Sequence, residues 1–214
     1  MKRIVVTGAG GLLGSRLVEL LAREHEVIPT YNVQTIDPNS LRIDVVDRKM
    51  VSELLNRISP HLVVHAAAET NVDKCETNKE WALSVNSEGT RNVAEACEKI
   101  GAELIYVSTD YIFDGEKGFY REDDRPGPVN YYGLTKLKGE QYAKQICREL
   151  VVVRTSVLYG WHPRKLNFAT WVIDSLRKGK RISIVDDHYN SPTFADSLAE
   201  TILRVVERDV RGVY

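Results

Sequence analysis

The chain has 214 residues, a formal net charge of −1 and 28% charged residues. This length supports one well-buried core with a small appended part. No basic run is dense enough for a nucleic-acid footprint, and no apolar run approaches the roughly 20 residues needed to cross a bilayer. Cys75, Cys97 and Cys147 are widely spaced without a CxxC pair, which argues against a disulfide framework or a zinc site. We therefore expect a cytoplasmic protein with neither nucleic acid nor membrane as partner.

Short apolar runs alternate with amphipathic segments of helical length from the N-terminus onward. Strands are predicted at RIVVTG, EVIPTY, LRIDVV, HLVVHAAA, AELIYVS and ELVVVRTS, and helices at GLLGSRLVELLAREH, DRKMVSELLNRIS, NKEWALSVNSEGTRNVAEACEKIG and YYGLTKLKGEQYAKQI. This alternation predicts an α/β fold over residues 1–160, a Rossmann-like doubly wound parallel sheet with helices on both faces. In such folds ligands bind at the carboxyl ends of the strands, where the strand order reverses.

The pattern changes after residue 160. Helices are predicted at KLNFATWVIDSLRKGKR and FADSLAETILRVVERD, a short strand at ISIVDD, and a further strand that starts only at the closing GVY. A strand begun at the last three residues has little length through which to pair. We therefore expect residues 161–214 to be a small, incomplete part of a truncated chain.

A glycine-rich turn connects the first strand to the first helix. In VVTGAGGLLGS the spacing G-x-G-x-x-G fails at Leu13, but a stretched version with Gly8, Gly11 and Gly14 fits. Glycines allow a tight turn, a close approach of backbone to a pyrophosphate and close packing of helix on sheet. The helix N-terminus, at Leu12 and Leu13, offers free N–H groups and a positive dipole to phosphate. The turn therefore predicts dinucleotide binding.

The second strand ends in IPTYN, without an acidic residue. An acid at this position commonly binds the ribose 2′-hydroxyl of NAD, whereas a nearby arginine favours the 2′-phosphate of NADP. Its absence favours NADP(H), with NAD(H) as the other candidate, and Arg16 is the arginine of the loop helix near enough to consider. Asp44, followed by Val45 at the end of the next strand, is placed to accept from the adenine amino group, or is a charge at a helix N-terminus.

The stretch NYYGLTKLKGE predicts a helix that begins near Tyr131, with Asn130 as its N-cap. Residues four apart lie on the same helix face, so Tyr132 faces Lys136 while Tyr131 faces Thr135. A nearby ammonium favours the phenolate and can bring a tyrosine closer to its working range at neutral pH. Tyr132 and Lys136 are therefore candidates for a catalytic pair, although this spacing is also common on amphipathic helices.

Four motifs stand in one order: TGAGGLLG, HAAAET, STDYIFDG and YYGLTK. Together they resemble the extended short-chain dehydrogenase/reductase family, in particular its dTDP-4-dehydrorhamnose reductase group. The resemblance extends along the whole chain and includes RTSVLYG and NSPT. It implies an NAD(P)-dependent oxidoreductase that acts on a dTDP-linked 4-keto-6-deoxy sugar in dTDP-rhamnose biosynthesis, with a homodimer as the candidate assembly.

The resemblance also implies a catalytic set of Thr109, Tyr132 and Lys136. Tyr132 would protonate the sugar keto oxygen while the nicotinamide delivers hydride to the carbon. Lys136 would hold the nicotinamide ribose and lower the pKa of Tyr132, and Thr109 would orient the carbonyl. Ser108 is a possible substitute for Thr109, because either hydroxyl at a strand end can turn inward.

Further positions follow from the same resemblance, which implies that residues 161–214 are a partial substrate-binding part. Cofactor contacts are expected at Ala66, Ala67, Ala68, Thr155 and Ser156, and sugar-nucleotide contacts at Asp73, Asn167 and Thr193. Small residues also suit sheet packing, and the alternative for the three polar side chains is a role as helix caps or solvated groups. His65, His162 and His188, with Asp186 and Asp187, match no metal-ligand spacing, so no metal is expected.

One departure from the group weakens the substrate assignment. The rhamnose-pathway enzymes typically carry a tryptophan at the position of Val157, and that aromatic ring is expected to pack on the sugar. Two alternatives therefore stay open. One is a non-catalytic regulatory subunit similar to that of methionine adenosyltransferase, and the other is a sugar-nucleotide epimerase that retains NAD.

Overall fold

The computed structural model describes residues 1–33, 38–208 and 210–214. Within this part of the chain, seven strands form one parallel sheet in the order β3-β2-β1-β4-β5-β6-β9. The strands of this sheet are β1 Arg3–Thr7, β2 Glu26–Tyr31, β3 Leu41–Arg42, β4 Leu62–His65, β5 Glu103–Thr109, β6 Leu150–Thr155 and β9 Gly212–Val213. The predicted α/β class with a parallel, Rossmann-like sheet is confirmed.

Helices cover both faces of this sheet. They are α1 Leu12–Leu21, α2 Arg48–Ile58, α3 Val72–Thr77, α4 Lys79–Leu83, α5 Gly89–Ile100, α6 Tyr131–Ile146, α7 Phe168–Arg177 and α8 Ala195–Arg208. Helices α1 and α8 pack with one face of the strands, and α2, α5 and α6 pack with the other. The strands are apolar along their length because both of their faces are buried, as is usual for a parallel sheet.

The strand order reverses between β1 and β4. From β1 the chain moves outward to β2 and β3, and then returns to the other side of β1 with β4, β5 and β6. The segments after β1 and β4 therefore diverge to opposite sides of a crevice at the carboxyl ends of the strands. The glycine turn follows β1, Ala66–Ala68 follow β4, and Thr109 ends β5.

Three sequence predictions need correction. ISIVDD is not a strand, and its Ile184 and Val185 are exposed, so an apolar run without a neighbouring strand stays irregular. The strand predicted at LRIDVV is shortened to Leu41–Arg42. The long helix predicted from Asn78 is interrupted by a π-helical turn at Ser84–Glu88.

The C-terminal third returns to the main sheet. A short parallel pair, β7 Leu158–Tyr159 with β8 Thr193–Phe194, lies outside the main sheet. Helix α8 then packs beside α1, and β9 pairs with β6 through Val151 and Val152. The predicted end of helix α8, Asp209, lies outside the described residues. Among the helices that the structure describes, none is long and apolar enough to cross a membrane.

Candidate active site

Close backbone contacts determine the residue type at two positions of the glycine turn. Gly8 has φ of 70°, in the left-handed region, and a Cβ there would lie 2.8 Å from the Ala67 nitrogen. A Cβ on Gly14 would lie 2.1 Å from the Gly8 carbonyl oxygen. Only glycine fits either contact, so the turn packs directly on the backbone after β4 and on its own helix.

The N-terminus of α1 is open for an anion. Its N-cap is Gly11, which has no side chain to accept from the first-turn N–H groups. Leu12 and Leu13 therefore present backbone donors at the positive end of the helix dipole, close to the switch point. This arrangement fits a pyrophosphate, as predicted for these residues.

A chain of buried polar groups connects the strands next to the glycine turn with helix α5. The Thr7 hydroxyl lies 2.7 Å from His65 Nδ1 and accepts from the Ala67 N–H at 3.3 Å, while His65 Nε2 lies 3.2 Å from the Thr90 hydroxyl. Burial lowers the pKa of His65 to about 3, so the imidazole is neutral at physiological pH. His65 thus links β1, β4 and α5, and no spacing in the sequence indicated this role.

The arginine considered for a 2′-phosphate is engaged elsewhere. Arg16 forms ion pairs with Glu19 at 3.1 Å and with Asp196 of α8 at 2.8 Å. Arg42 is in register with Tyr31 at the carboxyl end of the edge strand, where it is exposed. Among the described residues, Arg42 has no carboxylate partner. Arg42 is therefore better placed than Arg16 to meet a phosphate beyond the end of β2.

Asp44 and Val45 lie just after the short strand β3. The Asp44 carboxylate accepts from the Val46 N–H at 3.1 Å, so part of its hydrogen-bonding capacity shapes this turn. Val45 is buried, and its side chain would lie 2.8 Å from a Cβ on Gly89 of α5. Adenine contacts at these two positions stay a prediction.

Helix α6 begins as the sequence predicts. The Asn130 side chain caps it by accepting from the Gly133 N–H at 2.8 Å. A Cβ on Gly133 would lie 2.0 Å from the Tyr111 carbonyl oxygen, so glycine lets the helix approach the segment after β5. Tyr132 and Lys136 are both buried on the same face of this helix, and the predicted side-by-side placement is confirmed.

The two hydroxyls at the end of β5, on Ser108 and Thr109, have different partners. The Thr109 hydroxyl accepts from the Tyr111 N–H and donates to the Asp110 carboxylate, both at 3.2 Å. Burial raises the pKa of Tyr132 above its ordinary value, and the nearby Thr109 hydroxyl acts in the opposite direction. The Ser108 hydroxyl donates to Glu140, also on α6, at 3.0 Å. Ser108 is thus engaged by Glu140, and Thr109 stays the candidate for the catalytic hydroxyl.

Lys136 is a buried ammonium beside the tyrosine. Its Nζ donates to the Val107 carbonyl at 2.7 Å and lies 4.2 Å from the centre of the Tyr106 ring. Burial lowers the pKa of Lys136 to about 7, and the Glu140 carboxylate opposes this shift. The expected lowering of the Tyr132 pKa by Lys136 is not seen, since burial raises this pKa and the Thr109 hydroxyl, not Lys136, opposes the rise.

The π-helical turn organises the loop after β4. Asn86, buried in this turn, accepts from the Glu69 N–H at 2.8 Å and donates to the Glu69 carbonyl at 3.0 Å. It also donates to the Thr135 hydroxyl at 3.0 Å. Asn86 therefore joins the loop after β4 to helix α6. Sequence reasoning missed it, because nothing in a helical pattern indicates a π-turn.

Two buried hydroxyls at the end of β6 lack partners. Among the described residues, Thr155 Oγ1 and Ser156 Oγ are buried and make no hydrogen bond, an arrangement that costs free energy unless a ligand supplies the bond. Val157 follows with φ of 28°, a strained conformation for a β-branched residue. Together with the glycine turn, these hydroxyls fit a nicotinamide dinucleotide.

The three predicted sugar-nucleotide residues differ in their surroundings. Asp73 is exposed on α3, the helix whose Cys75 packs against Tyr132. Asn167 caps α7 by accepting from the Thr170 N–H at 3.2 Å and also donates to the Gly160 carbonyl at 2.5 Å. Thr193 pairs with Leu158 in the short sheet. Asp73 and Thr193 are available to a ligand, whereas Asn167 has a structural role.

The histidines considered for a metal are dispersed. His65 is held in the polar chain, His162 lies 3.1 Å from the Gly10 carbonyl oxygen, and His188 is exposed. Within residues 1–33, 38–208 and 210–214, no group of three or more His, Cys, Asp or Glu side chains is arranged to hold a metal ion.

The arrangement is suited to proton transfer beside a dinucleotide. The raised pKa keeps the Tyr132 phenol protonated at neutral pH, so it can donate a proton to a carbonyl oxygen as that atom gains negative charge. The Thr109 hydroxyl lies near Tyr132, and Lys136 lies one helical turn further along α6. The glycine turn after β1 lies at the same edge of the sheet, two strands away from β5.

Comparison with known proteins agrees with this geometry. A dTDP-4-dehydrorhamnose reductase of Mycobacterium tuberculosis is 36% identical over 217 residues, which cover 99% of this chain and 68% of that protein. The methionine adenosyltransferase 2 subunit beta of Xenopus tropicalis is 31% identical over 220 residues, covering 100% and 66%. The crystal structure of dTDP-4-dehydrorhamnose reductase from Bacillus anthracis in complex with NADP superposes with a TM-score of 0.91 at 35% identity, covering 100% of this chain and 73% of that one.

The sequence also matches a family model along its whole length. The match to the RmlD substrate binding domain extends over residues 1–214. It includes the glycine turn, the ends of β4 and β5, and the Tyr132–Lys136 helix. The chain therefore belongs to the RmlD substrate binding domain family.

Proposed function

We propose that this protein is an NADP(H)-dependent oxidoreductase that reduces a nucleotide-linked 4-keto-6-deoxy sugar, converting dTDP-4-dehydrorhamnose to dTDP-rhamnose. The observation that carries the proposal is the buried pair of Tyr132 and Lys136, one helical turn apart on α6, near Thr109 at the end of β5. This group stands beside a glycine turn shaped for a dinucleotide. The named reductases among the relatives support the choice of substrate.

The cofactor would be held by the residues around the switch point. Gly8, Gly11 and the α1 N-terminus would bind the pyrophosphate, while Thr155 and Ser156 would satisfy polar groups of the nicotinamide end. When bound, NADP(H) supplies the hydride for reduction. The complex of the Bacillus anthracis reductase with NADP and the absence of an acid after β2 support NADP(H), and NAD(H) is the second candidate.

The chain's own residues would handle the proton. Tyr132 donates its phenolic proton to the sugar keto oxygen, and Thr109 donates a hydrogen bond to the same atom. Lys136 interacts with the nicotinamide ribose and places positive charge near the phenol as the proton leaves. Asp73, Thr193 and the segment after Ser156 form the side of the site where the sugar nucleotide would bind. Of the substrate part predicted at residues 161–214, we assign this role to residues 161–194, because α8 and β9 pack with the main sheet.

Cell location and assembly belong to the same proposal. All three cysteines are buried and unpaired, as is typical of a reducing compartment, so we place the protein in the cytoplasm. A homodimer is the candidate assembly, and light scattering of the purified protein checks it.

A regulatory subunit is the second candidate function. The similarity to methionine adenosyltransferase 2 subunit beta favours it, as does the lack of a tryptophan at Val157. Co-purification of a synthetase, with NADP(H) bound but never oxidised, would support this candidate. The two candidates differ in turnover and not in cofactor binding.

The deciding experiment mixes the protein with dTDP-4-dehydrorhamnose and NADPH, then NADH, and follows the absorbance of the reduced nicotinamide. Tyr132→Phe is the control. Oxidation by the wild type and not by the control supports the reductase, and the two cofactors are ranked in the same assay. Cofactor binding without oxidation rejects this substrate.

A further inference from the structure

The helix that carries Tyr132 and Lys136 has a third buried side chain on the same face. Glu140 follows Lys136 by one helical turn and is 1% exposed. Placing an ionised carboxylate in a protein interior costs several kcal/mol, as an order of magnitude, unless cations and hydrogen bonds compensate. Burial pushes the pKa of Glu140 upward, but Arg154 and Lys144 outweigh this and the pKa lies below its usual value. The carboxylate is therefore charged.

Glu140 contacts two strands as well as its own helix. Arg154 of β6 donates to it from Nη2 at 2.6 Å and from Nε at 3.3 Å. Ser108 of β5 donates to it at 3.0 Å, and Lys144 at 2.7 Å. Ser108 immediately precedes Thr109, and Arg154 immediately precedes Thr155. One carboxylate thus joins the three elements that carry the proposed catalytic and nicotinamide residues.

The connection continues into the segment that follows β5. Arg154 Nη1 donates to the Glu122 carbonyl at 2.9 Å, and its guanidinium lies 5.3 Å from the centre of the Phe113 ring. The planar guanidinium fork is pre-organised for such simultaneous contacts. The position of this segment therefore also depends on the Glu140–Arg154 pair.

Glu140 also sets the charge around Lys136. Of the other groups near the ammonium, His65 is neutral because burial lowers its pKa to about 3. Tyr106 and Tyr132 are neutral because burial raises their pKa values. Glu140 is thus the acid whose negative charge favours the protonated form of Lys136.

We propose that Glu140 is the positioning residue of this site, whose carboxylate holds β5, α6 and β6 in the arrangement that brings Thr109, Tyr132 and Lys136 together. The proposal rests on the reductase function proposed above. Its electrostatic consequence is that Lys136 keeps its proton to higher pH than it would beside a neutral side chain. Glu140 touches neither cofactor nor substrate in this scheme.

The test is Glu140→Gln, which preserves size and one acceptor but removes the charge. We expect kcat to fall by roughly ten- to a hundredfold, the range found when outer partners of functional side chains are removed. The pH above which turnover declines should move downward, because Lys136 loses its proton more easily. Circular dichroism and the Tm establish whether the variant is folded.

The matched control is Arg91→Gln, which breaks an exposed ion pair with Glu95 on α5 and should change neither kcat nor the pH profile.

Two further variants separate geometry from charge. Glu140→Asp keeps the charge on a shorter stem and should lower kcat while the pH profile stays close to that of the wild type. Ser108→Ala removes only the neutral link to β5, and should lower kcat without moving the profile. These two variants decide the question if Glu140→Gln does not fold. Unchanged kcat in both, or an unchanged kcat and profile in folded Glu140→Gln, overturns the proposal.

The wild type distinguishes failure of the function from failure of this inference. If the wild type does not oxidise NADPH with the sugar nucleotide, the proposed substrate is wrong. The pH dependence of NADPH binding, followed by nicotinamide fluorescence, then decides the role of Glu140 by the same comparison of variants. A wild type that neither turns over nor binds NADPH overturns both proposals.

Discussion

At the scale of single residues, Tyr132 is the group that most directly tests the chemistry. We expect Tyr132→Phe to lower kcat by about 100- to 10,000-fold, the usual contribution of a positioned acid or base. The ring still packs against Cys75 and Ala82, so NADPH affinity should stay within about twofold. Steady-state kinetics and a fluorescence titration measure the two quantities. Wild-type turnover in this variant would exclude Tyr132 as the proton donor.

Arg42 is the second residue-scale test, because it concerns the choice of cofactor. If Arg42 meets the 2′-phosphate, Arg42→Gln should weaken NADPH binding by roughly 10- to 100-fold, the equivalent of losing one charged hydrogen bond. NADH binding should not change, because NADH lacks that phosphate. Arg23→Gln, which removes an arginine from an exposed ion pair, is the control. Equal losses for NADPH and NADH would assign Arg42 a structural role instead.

Residue-scale prediction from the sequence succeeded where the spacing is local. The helical period placed Tyr132 beside Lys136, and a cap was correctly read at Asn130. The sequence did not decide between Ser108 and Thr109, because the alternation of side chains along a strand does not indicate which face of the sheet meets the site. The sequence also indicated Arg16 as the arginine to consider for the 2′-phosphate. Its ion-pair partner Asp196 is 180 positions away, and this pairing results only from the packing of α8 on α1.

At the scale of elements, the N-cap of α7 tests whether Asn167 stabilises its helix or binds the sugar nucleotide. Asn167→Ala should destabilise the protein by about 1 kcal/mol, the usual cost of losing an N-cap. Because both polar groups of Asn167 bind within the chain, KM for the sugar nucleotide should rise by less than about threefold, a change within the ordinary scatter of single-site effects. Thermal unfolding and steady-state kinetics measure these values.

The control for this variant is another helix cap away from the site. Asp47→Ala removes the N-cap of α2, which accepts from the Met50 N–H at 2.9 Å, and should lower stability by a similar amount. A KM increase of tenfold or more in Asn167→Ala alone would return Asn167 to the substrate residues. The comparison works because both variants lose the same kind of hydrogen bond.

The elements themselves were largely predictable from periodicity. The catalytic helix Tyr131–Ile146 has the predicted bounds, and the alternation of strands with helices gave the parallel sheet. ISIVDD was wrong because a strand needs a neighbour, which its own sequence does not reveal. The π-turn at Ser84–Glu88 was missed because its cause is tertiary: Asn86 is held by the loop after β4 and by Thr135.

At the scale of the whole molecule, His65 couples folding to pH. Burial lowers its pKa from 6.5 to about 3 in the folded protein, so the unfolded chain binds a proton that the folded chain does not between these values. The contribution of His65 to the free energy of unfolding is therefore fully present above pH 6.5 and is lost as the pH falls toward 3. From pH 6.5 to 5 we expect a loss of roughly 1 to 2 kcal/mol in the free energy of unfolding, measured by urea denaturation.

The variant His65→Gln isolates this contribution. It should be less stable than the wild type at pH 7, because the links to Thr7 and Thr90 are altered, but its stability should change less between pH 6.5 and 5. Burial lowers the pKa of His162 as well, which leaves a smaller slope of the same sign. His188→Gln, at an exposed histidine, should keep the wild-type slope. An undiminished slope in His65→Gln would mean that the buried polar chain under the glycine turn does not control acid stability. The pKa values of Glu140 and Glu69 are also lowered, so these carboxyl groups change the free energy of unfolding mainly below their ordinary pKa of 4.5. The window from pH 6.5 to 5 therefore excludes their contribution.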